Sequence, residues 1–294
     1  MKDNLSIIKI NINEAGYPQL LSKIPSPPKA IFLRGTAPNH SKAVAIVGTR
    51  KASESGKSIA YEFSRYLSRN GCAIVSGLAL GIDAAAHQGA LDENGISWAV
   101  LAHGLDSIYP SSKSGIARKI IDTGGCLVSE YPALTPPYAS QFIVRNRIIS
   151  GLSEAIIIVE APKESGALAT AQFAIKQNKP VFVVPGNISS SLYSGSHQLI
   201  RNGARLVTKP SEVLDDLKWS SELGEKTSDA FRFENETQKR IFDIIQSSGD
   251  PVSVDKICEI TKLNPRDITS SLMQMMFNGI IIDEGGKYKS SKIL

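Results

Sequence analysis

Phosphates are held where a backbone can come close and donate N–H groups, and several stretches of this chain suit that task. Apolar runs end in Val47-Gly48-Thr49-Arg50, in Ser76-Gly77-Leu78-Ala79-Leu80-Gly81-Ile82-Asp83 and in His103-Gly104. Others lead to Ser165-Gly166 and Pro185-Gly186, with Ser194-Gly195-Ser196 downstream. Glycine lets an anion approach the backbone, and a helix starting beyond such a turn aims unsatisfied N–H groups at it. One such glycine marks only a turn. Recurring at the ends of successive runs, they point to an anion-binding crevice lined by Gly48, Thr49, Gly77, Ser165, Gly166, Pro185, Gly186 and Gly195.

Charge and rings come from two places. Arg50 stands at the mouth of the first run, immediately before a helical segment, where a guanidinium can grip a phosphate bidentately. The stretch Gln141-Phe142-Ile143-Val144-Arg145-Asn146-Arg147 sets an aromatic ring among basic residues. On a helix Phe142, Arg145, Asn146 and Ile149 share a face, and Arg147 points about 160° away from Arg145. One arginine is therefore expected to reach a ligand while the other braces the fold; the spacing does not say which. Rings beside guanidiniums suit single-stranded nucleic acid, because bases stack while the cations take phosphates. Phe142 as a core residue is the competing reading.

Asp83 and His87, four apart on a helix, have the look of an acid–base pair. Without a recognisable Ser or Cys nucleophile or metal-ligand cluster nearby, a structural role is expected, Asp83 at the helix start and His87 paired to it. His40 and His103 have no partner that can be named. GxGxxG does not follow the first strand, and Gly56-Lys57-Ser58 has Lys51 where a P-loop requires glycine. NAD- or ATP-dependent chemistry is thereby disfavoured, and no catalytic residue, metal or cofactor is expected.

The elements that position these residues follow from hydrophobic periodicity. Strand-like runs at Val44–Val47, Cys72–Val75, Trp98–Leu101, Cys126–Val128, Ala155–Val159, Val181–Val184 and Arg205–Val207 alternate with helical segments such as Lys57–Arg69, Asp83–Leu91, Ser140–Gly151 and Ala167–Gln177. Continuous apolar strands separated by helices predict an α/β fold, a Rossmann-like parallel sheet covered on both faces. Residues 1–40 read as a lead-in with one short helix and one short strand, packed on a main domain at 41–217. Residues 218–232 read as a linker. Residues 233–294 predict three helices and a hairpin around Glu284-Gly285-Gly286, a small winged-helix domain, with Ile268, Leu272, Met275 and Met276 at core spacing on the third helix.

Of the formal charge of +5, residues 233–294 hold eight basic and nine acidic side chains, a net −1, leaving +6 on the remainder. A polyanion is therefore expected to meet the larger domain. The longest apolar run is far short of a membrane span, and the N-terminal stretch lacks the pattern of a secretory leader. Three widely spaced cysteines without CxxC spacing read as small buried residues in a reducing, cytoplasmic setting.

Together VAIVGTR, IVSGLALGIDAAAH, FIVRNRIISGLS, SGALATAQFAI, VFVVPG and SGSHQLIRNGARLV resemble the DNA-processing protein A family, also called DprA or Smf. The resemblance covers about residues 15–218, with the tail matching the family's layout. It implies an extended Rossmann-like fold that binds single-stranded DNA without catalysis, protects incoming DNA in natural transformation or recombination, and loads the recombinase RecA onto it. It also implies a homodimer, with His197, Ile200 and Leu206 as the expected contact. Carried onto this chain, the DNA-binding set is Gly48, Thr49, Arg50, Gly77, Phe142, Arg145, Asn146, Arg147, Ser165, Gly166, Pro185, Gly186 and Gly195. Two departures stand out: Ala139 occupies a position that is basic in some members, and Ala169 precedes Thr170 where isoleucine is usual. The alternatives are a sensor of small nucleotides and a nucleotide-cleaving phosphoribohydrolase. Against the latter, Pro185-Gly186-Asn187-Ile188 replaces the Pro-Gly-Gly-x-Gly-Thr loop that such enzymes resemble.

Overall fold

Strands whose every residue is apolar have to be covered on both sides, and the chain arranges this around one large sheet. The computed structural model describes residues 6–39, 42–219, 235–277 and 280–291. Two compact units divide the chain, Met1–Ser220 and Ser221–Leu294.

The first unit opens with β1 (Ile8–Asn11), α1 (Gln19–Ser22) and β2 (Ala30–Gly35). Alternation follows: β3 (Ala43–Val47), α2 (Glu54–Arg69), β4 (Ala73–Ser76), α3 (Ile82–Asp92), β5 (Ser97–Leu101), α4 (Ser114–Asp122) and β6 (Cys126–Ser129). The second half runs α5 (Ala139–Gly151), β7 (Ala155–Ile158), α6 (Gly166–Lys176), β8 (Val181–Val183), α7 (Ser194–Arg201), β9 (Arg205–Leu206) and α8 (Pro210–Asp216). The nine-stranded sheet has the order β1-β2-β6-β5-β4-β3-β7-β8-β9. From β6 to β9 every pairing is parallel, whereas β1 and β2 join antiparallel at one edge. After β3 the chain winds outward to β4, β5 and β6, then returns to place β7 on β3's other side. This reversal opens a crevice at the carboxyl ends of β3 and β7, the position where open α/β sheets bind ligands.

Alternate residues of each strand enter different cores. Ala43, Ala45 and Val47 of β3 join Ile148, Ile149 and Ala171 from α5 and α6; Val44 and Ile46 join Phe63, Leu67 and Ala86 from α2 and α3. Helix α2 shows how local chemistry sets the boundaries. Ser53 caps it by accepting a hydrogen bond from Gly56 N at 2.9 Å, and Gly71 at φ +76° follows its end.

Two expectations change here. The lead-in holds two strands rather than one, because four-residue β1 is too short to show a periodicity and is held by pairing with β2 and by Ile10 against the core. The start of the expected linker is packed instead: Trp219 N donates to Leu214 O at 2.8 Å, and Lys42 Nζ to Trp219 O at 3.2 Å. Residues 220–232 of that linker lie outside the described residues, as does His40.

The second unit contains α9 (Glu236–Ser247), β10 (Val252–Ser253), α10 (Val254–Thr261), α11 (Pro265–Phe277), β11 (Ile281–Asp283) and β12 (Lys287–Ser290). Its sheet order is β10-β12-β11. Gly285 and Gly286, at φ +66° and +84°, form the two-residue turn that a tight hairpin requires. Ile268, Leu272 and Met275 are buried, but Met276 is 38% exposed because it rotates past the inner face of α11. The short strand β10 was not anticipated.

Candidate nucleic-acid interface

The crevice has a volume of about 670 Å³ and is walled by the end of β3, the loops after β3, β4, β5 and β7, one face of α5, and the starts of α3 and α6. Of the expected residues, Gly48, Thr49, Arg50, Phe142, Arg145, Asn146, Ser165 and Gly166 line it. Ala139 lines it too, so a side chain there would face the ligand.

Arg50 is exposed, makes no ion pair among the described residues, and holds its guanidinium 4.9 Å from the centroid of the Phe142 ring. Phe142 is half-buried and meets Tyr109 edge-on at 6.1 Å, so it forms part of the wall and not of the core. Tyr109, 52% exposed, was missed in the sequence because it follows no strand directly and lies in a loop without periodicity. Lys51 and Glu164 also line the crevice without having been anticipated.

Arg145, only 4% exposed, forms the floor. Its Nη1 donates to Gly77 O at 2.9 Å and to Val100 O, and its Nε to Asn146 Oδ1 at 3.2 Å. Burial pulls the guanidinium down to about 10, opposed by the nearby Asp83 carboxylate, so it remains charged at neutral pH. Asp83 accepts from Gly77 N at 3.1 Å and Ala79 N at 3.4 Å; burial pushes its pKa above the usual carboxylate range, and the charge of Arg145 draws it back. The expected Asp83–His87 pairing is corrected. His87 instead bonds through Nδ1 to Ser97 Oγ at 2.7 Å, because α3 turns its ring into the core beneath Asp83. His103 is also placed: its Nε2 accepts from Tyr109 N at 3.3 Å.

The second arginine lies elsewhere. Arg147 points away from the crevice and binds both oxygens of Glu130 through Nη2, at 2.5 and 2.6 Å. The two arginines point apart as their spacing implied, but both brace the fold, Arg145 through backbone carbonyls beneath the crevice and Arg147 through Glu130. Asn146 Nδ2 donates to Gly166 O at 3.1 Å and ties the first turn of α6 to α5. Ser165 caps α6 by accepting from Ala167 N at 3.2 Å, and the space beside Gly166 is open, so the positive end of this helix faces the crevice.

Several glycines expected at the rim serve packing instead. Gly77 is buried, and a Cβ there would lie 2.5 Å from Arg145 Nη2. Gly195 is buried with its N donating to Ala161 O at 2.9 Å. Pro185 and Gly186 lie outside the crevice, Gly186 against the ring of Tyr193 and accepting from His197 Nε2 at 3.2 Å. Nor is the start of α2 free for a phosphate, as Arg50 standing before a helix had suggested. The fully buried Glu160 accepts from Ser53 N at 2.9 Å and Ser53 Oγ at 2.6 Å and so occupies that helix end. An internal carboxylate sits where a nucleotide phosphate would sit in a dinucleotide-binding fold.

Among the expected dimer residues, Leu206 on the edge strand β9 is 51% exposed. Ile200 packs against the core, and His197 stacks on Tyr193. Among the described residues there is no group of His, Cys, Asp and Glu arranged to hold a metal, and no helix is long and apolar enough to cross a membrane.

Comparison with known proteins agrees with this architecture. Residues 9–218 match the family model described as DNA recombination-mediator protein A. Protein Smf of Escherichia coli (strain K12) is 37% identical over 277 residues, covering 92% of this chain and 74% of its own. The DNA processing protein DprA of Streptococcus pneumoniae (strain ATCC BAA-255 / R6) is 38% identical over 204 residues, covering 69% of this chain and 72% of its own. A crystal structure of S. pneumoniae DNA processing protein A superposes with a TM-score of 0.67 at 37% identity, over 71% of this chain and 74% of that one. Helicobacter pylori DNA processing protein A, described for its single-stranded DNA binding mode, superposes at 0.66 with 30% identity, over 74% of this chain and 98% of that one. A match over residues 9–218 takes in every element from β1 through α8, including the whole crevice, and the chain belongs to the DNA recombination-mediator protein A family.

Proposed function

We propose that the crevice holds single-stranded DNA without catalysing a reaction on it, and that the protein delivers the strand for recombination, as in natural transformation. The observation that carries this reading is the exposed Arg50 guanidinium laid against Phe142, with Tyr109 beside the ring and the start of α6 opposite. Cation, stacking surface and the positive end of a helix suit phosphates and bases together. The H. pylori relative's single-stranded DNA binding mode supports it. Glu160 at the start of α2 weighs against a mononucleotide sensor, which would need that helix end for its phosphate. RecA as the recipient is proposed on the family's description as a recombination mediator.

Arg50→Ala tests the reading. Single-strand affinity is expected to fall by about 1–3 kcal/mol, the cost of one charge-assisted contact, with the melting temperature nearly unchanged. Wild-type affinity in fluorescence anisotropy would sink the crevice assignment.

Self-association is proposed through the β9 edge, where exposed Leu206 would otherwise leave an apolar unpaired strand. Because Ile200 packs on the core, Leu206→Glu is the cleaner probe. It is expected to sediment as a monomer with its stability kept, and an unaltered dimer would move the contact elsewhere.

The second unit is read as a winged helix with a protein-contact role. On α11 the exposed residues include Met273 and Met276, and the helix's basic residue, Arg266, is followed directly by Asp267. Such a face offers a phosphate backbone little counterion-releasing charge.

A further inference from the structure

On the flank of α5 away from the crevice, two shallow depressions of about 360 and 510 Å³ meet at Ser26 and Arg147. Lys9, Lys29 and Phe32 wall the larger; Val144, Phe173 and Lys176 wall the smaller. Strand register puts this groove at the same end of the sheet as the crevice. Phe32 pairs with Ser129 at the carboxyl end of β6, and Lys29 precedes the start of β2 just beyond that point.

The groove is basic. Lys29 and Lys176 are exposed and form no ion pair among the described residues. Lys9 is exposed as well; Glu14 has its carboxyl held below the usual range mainly by hydrogen bonds from Asn11, with only a small contribution from Lys9. The carboxylate within the groove, Glu130, is already neutralised by Arg147. Arg147 nevertheless keeps Nη1 buried without a hydrogen-bond partner, and so does Gln177 with its Oε1. Both residues line the smaller depression, with these two atoms beneath its surface.

Between groove and crevice lies a short apolar saddle. Ile143, which lines the crevice, and its neighbour Val144, which lines the groove, are both exposed on the outer turn of α5. Lysines interleaved with phenylalanine rings match the way single strands are held, cations to phosphates and rings to bases. The excess of positive charge favours a polyanion over a protein segment as the occupant.

We propose that a DNA strand leaving the crevice crosses α5 at Ile143 and Val144 and continues along this groove, giving the protein a longer single-strand site than the crevice alone. This rests on reading the crevice as a strand-binding site. The test uses the full chain and oligo-dT of about six and about twenty nucleotides, lengths that fill one site or overrun it. In Lys29→Glu/Lys176→Glu, binding of the longer strand is expected to weaken about tenfold or more, with the salt slope shallower by about 1.4 for two lost phosphate contacts. The shorter strand is expected to stay within about twofold of wild type. Lys29→Ala/Lys176→Ala should give a smaller loss of the same pattern. Both lysines are exposed, and an unchanged melting temperature checks the fold. Wild-type affinity for the longer strand in both variants, or equal losses at both lengths, overturns the groove while leaving the crevice reading intact. A wild-type protein that binds neither length overturns both.

Discussion

Arg145→Ala is expected to cost about 3–5 kcal/mol of folding stability, the penalty for leaving a buried charge without its opposite neighbour. The guanidinium holds the carbonyls of Gly77 and Val100 and stands beside Asp83. Its loss would leave two acceptors unsatisfied and a carboxylate uncompensated, at a site only 4% exposed. Against a typical total of about 5–15 kcal/mol, that is a large fraction. Removing both charges should hurt less than removing one, so Asp83→Asn/Arg145→Met is expected to recover part of the loss. Urea denaturation of the single and double variants measures this. A single variant within about 1 kcal/mol of wild type would mean that the floor of the crevice is not held by this pair. The contrast with Arg50→Ala is the useful part: one arginine should fail in stability, the other in binding.

The second large effect is acid sensitivity, centred on His87. Burial, aided by the charge of Arg145, pushes its imidazole down to about 3. Ser97 Oγ donates to Ile74 O at 3.1 Å, so it accepts from His87 Nδ1–H, which leaves the lone pair on Nε2 buried without a partner. The folded state therefore resists protonation that the unfolded chain takes up near 6.5. A group depressed in this way contributes stability fully above its unfolded value and loses it as pH falls toward the folded one. Between pH 6.5 and 5 this group is expected to cost the wild type about 2 kcal/mol. Urea midpoints at pH 7 and pH 5 read this out. In His87→Gln the difference should largely vanish, whatever the variant's stability at pH 7. The same slope in both proteins would assign the acid loss to other groups.

Much of the architecture was legible because parallel strands covered on both faces must be apolar at every position. Val44–Val47 and Ala155–Val159 announce themselves as strands for that reason, and the turns after them mark the ligand rim. The crevice was legible in part. Phe142, Arg145 and Asn146 share a helix face by simple periodicity, and they do line one cavity. Gly77, Gly186 and Gly195 were misplaced because a glycine that admits a phosphate and a glycine that admits a neighbouring side chain look the same in a sequence. Only the position of Arg145 Nη2, the Tyr193 ring or Ala161 O tells them apart.

The order of residue types along this chain was enough to specify alternating strands and helices, a basic larger unit and a ligand rim, since these depend on local period, turn chemistry and summed charge. Which group faces the ligand depends on contacts between segments far apart in sequence. Glu160 reaches across 107 positions to close the end of α2, Arg145 crosses 68 to reach Gly77, and Tyr109 meets Phe142 only because the loop after β5 folds over α5. Periodicity carries no information about such partners. The division of labour among Arg50, Arg145 and Arg147 was therefore decided in three dimensions, where a buried charge must find its acceptors and an exposed one is left free for a phosphate.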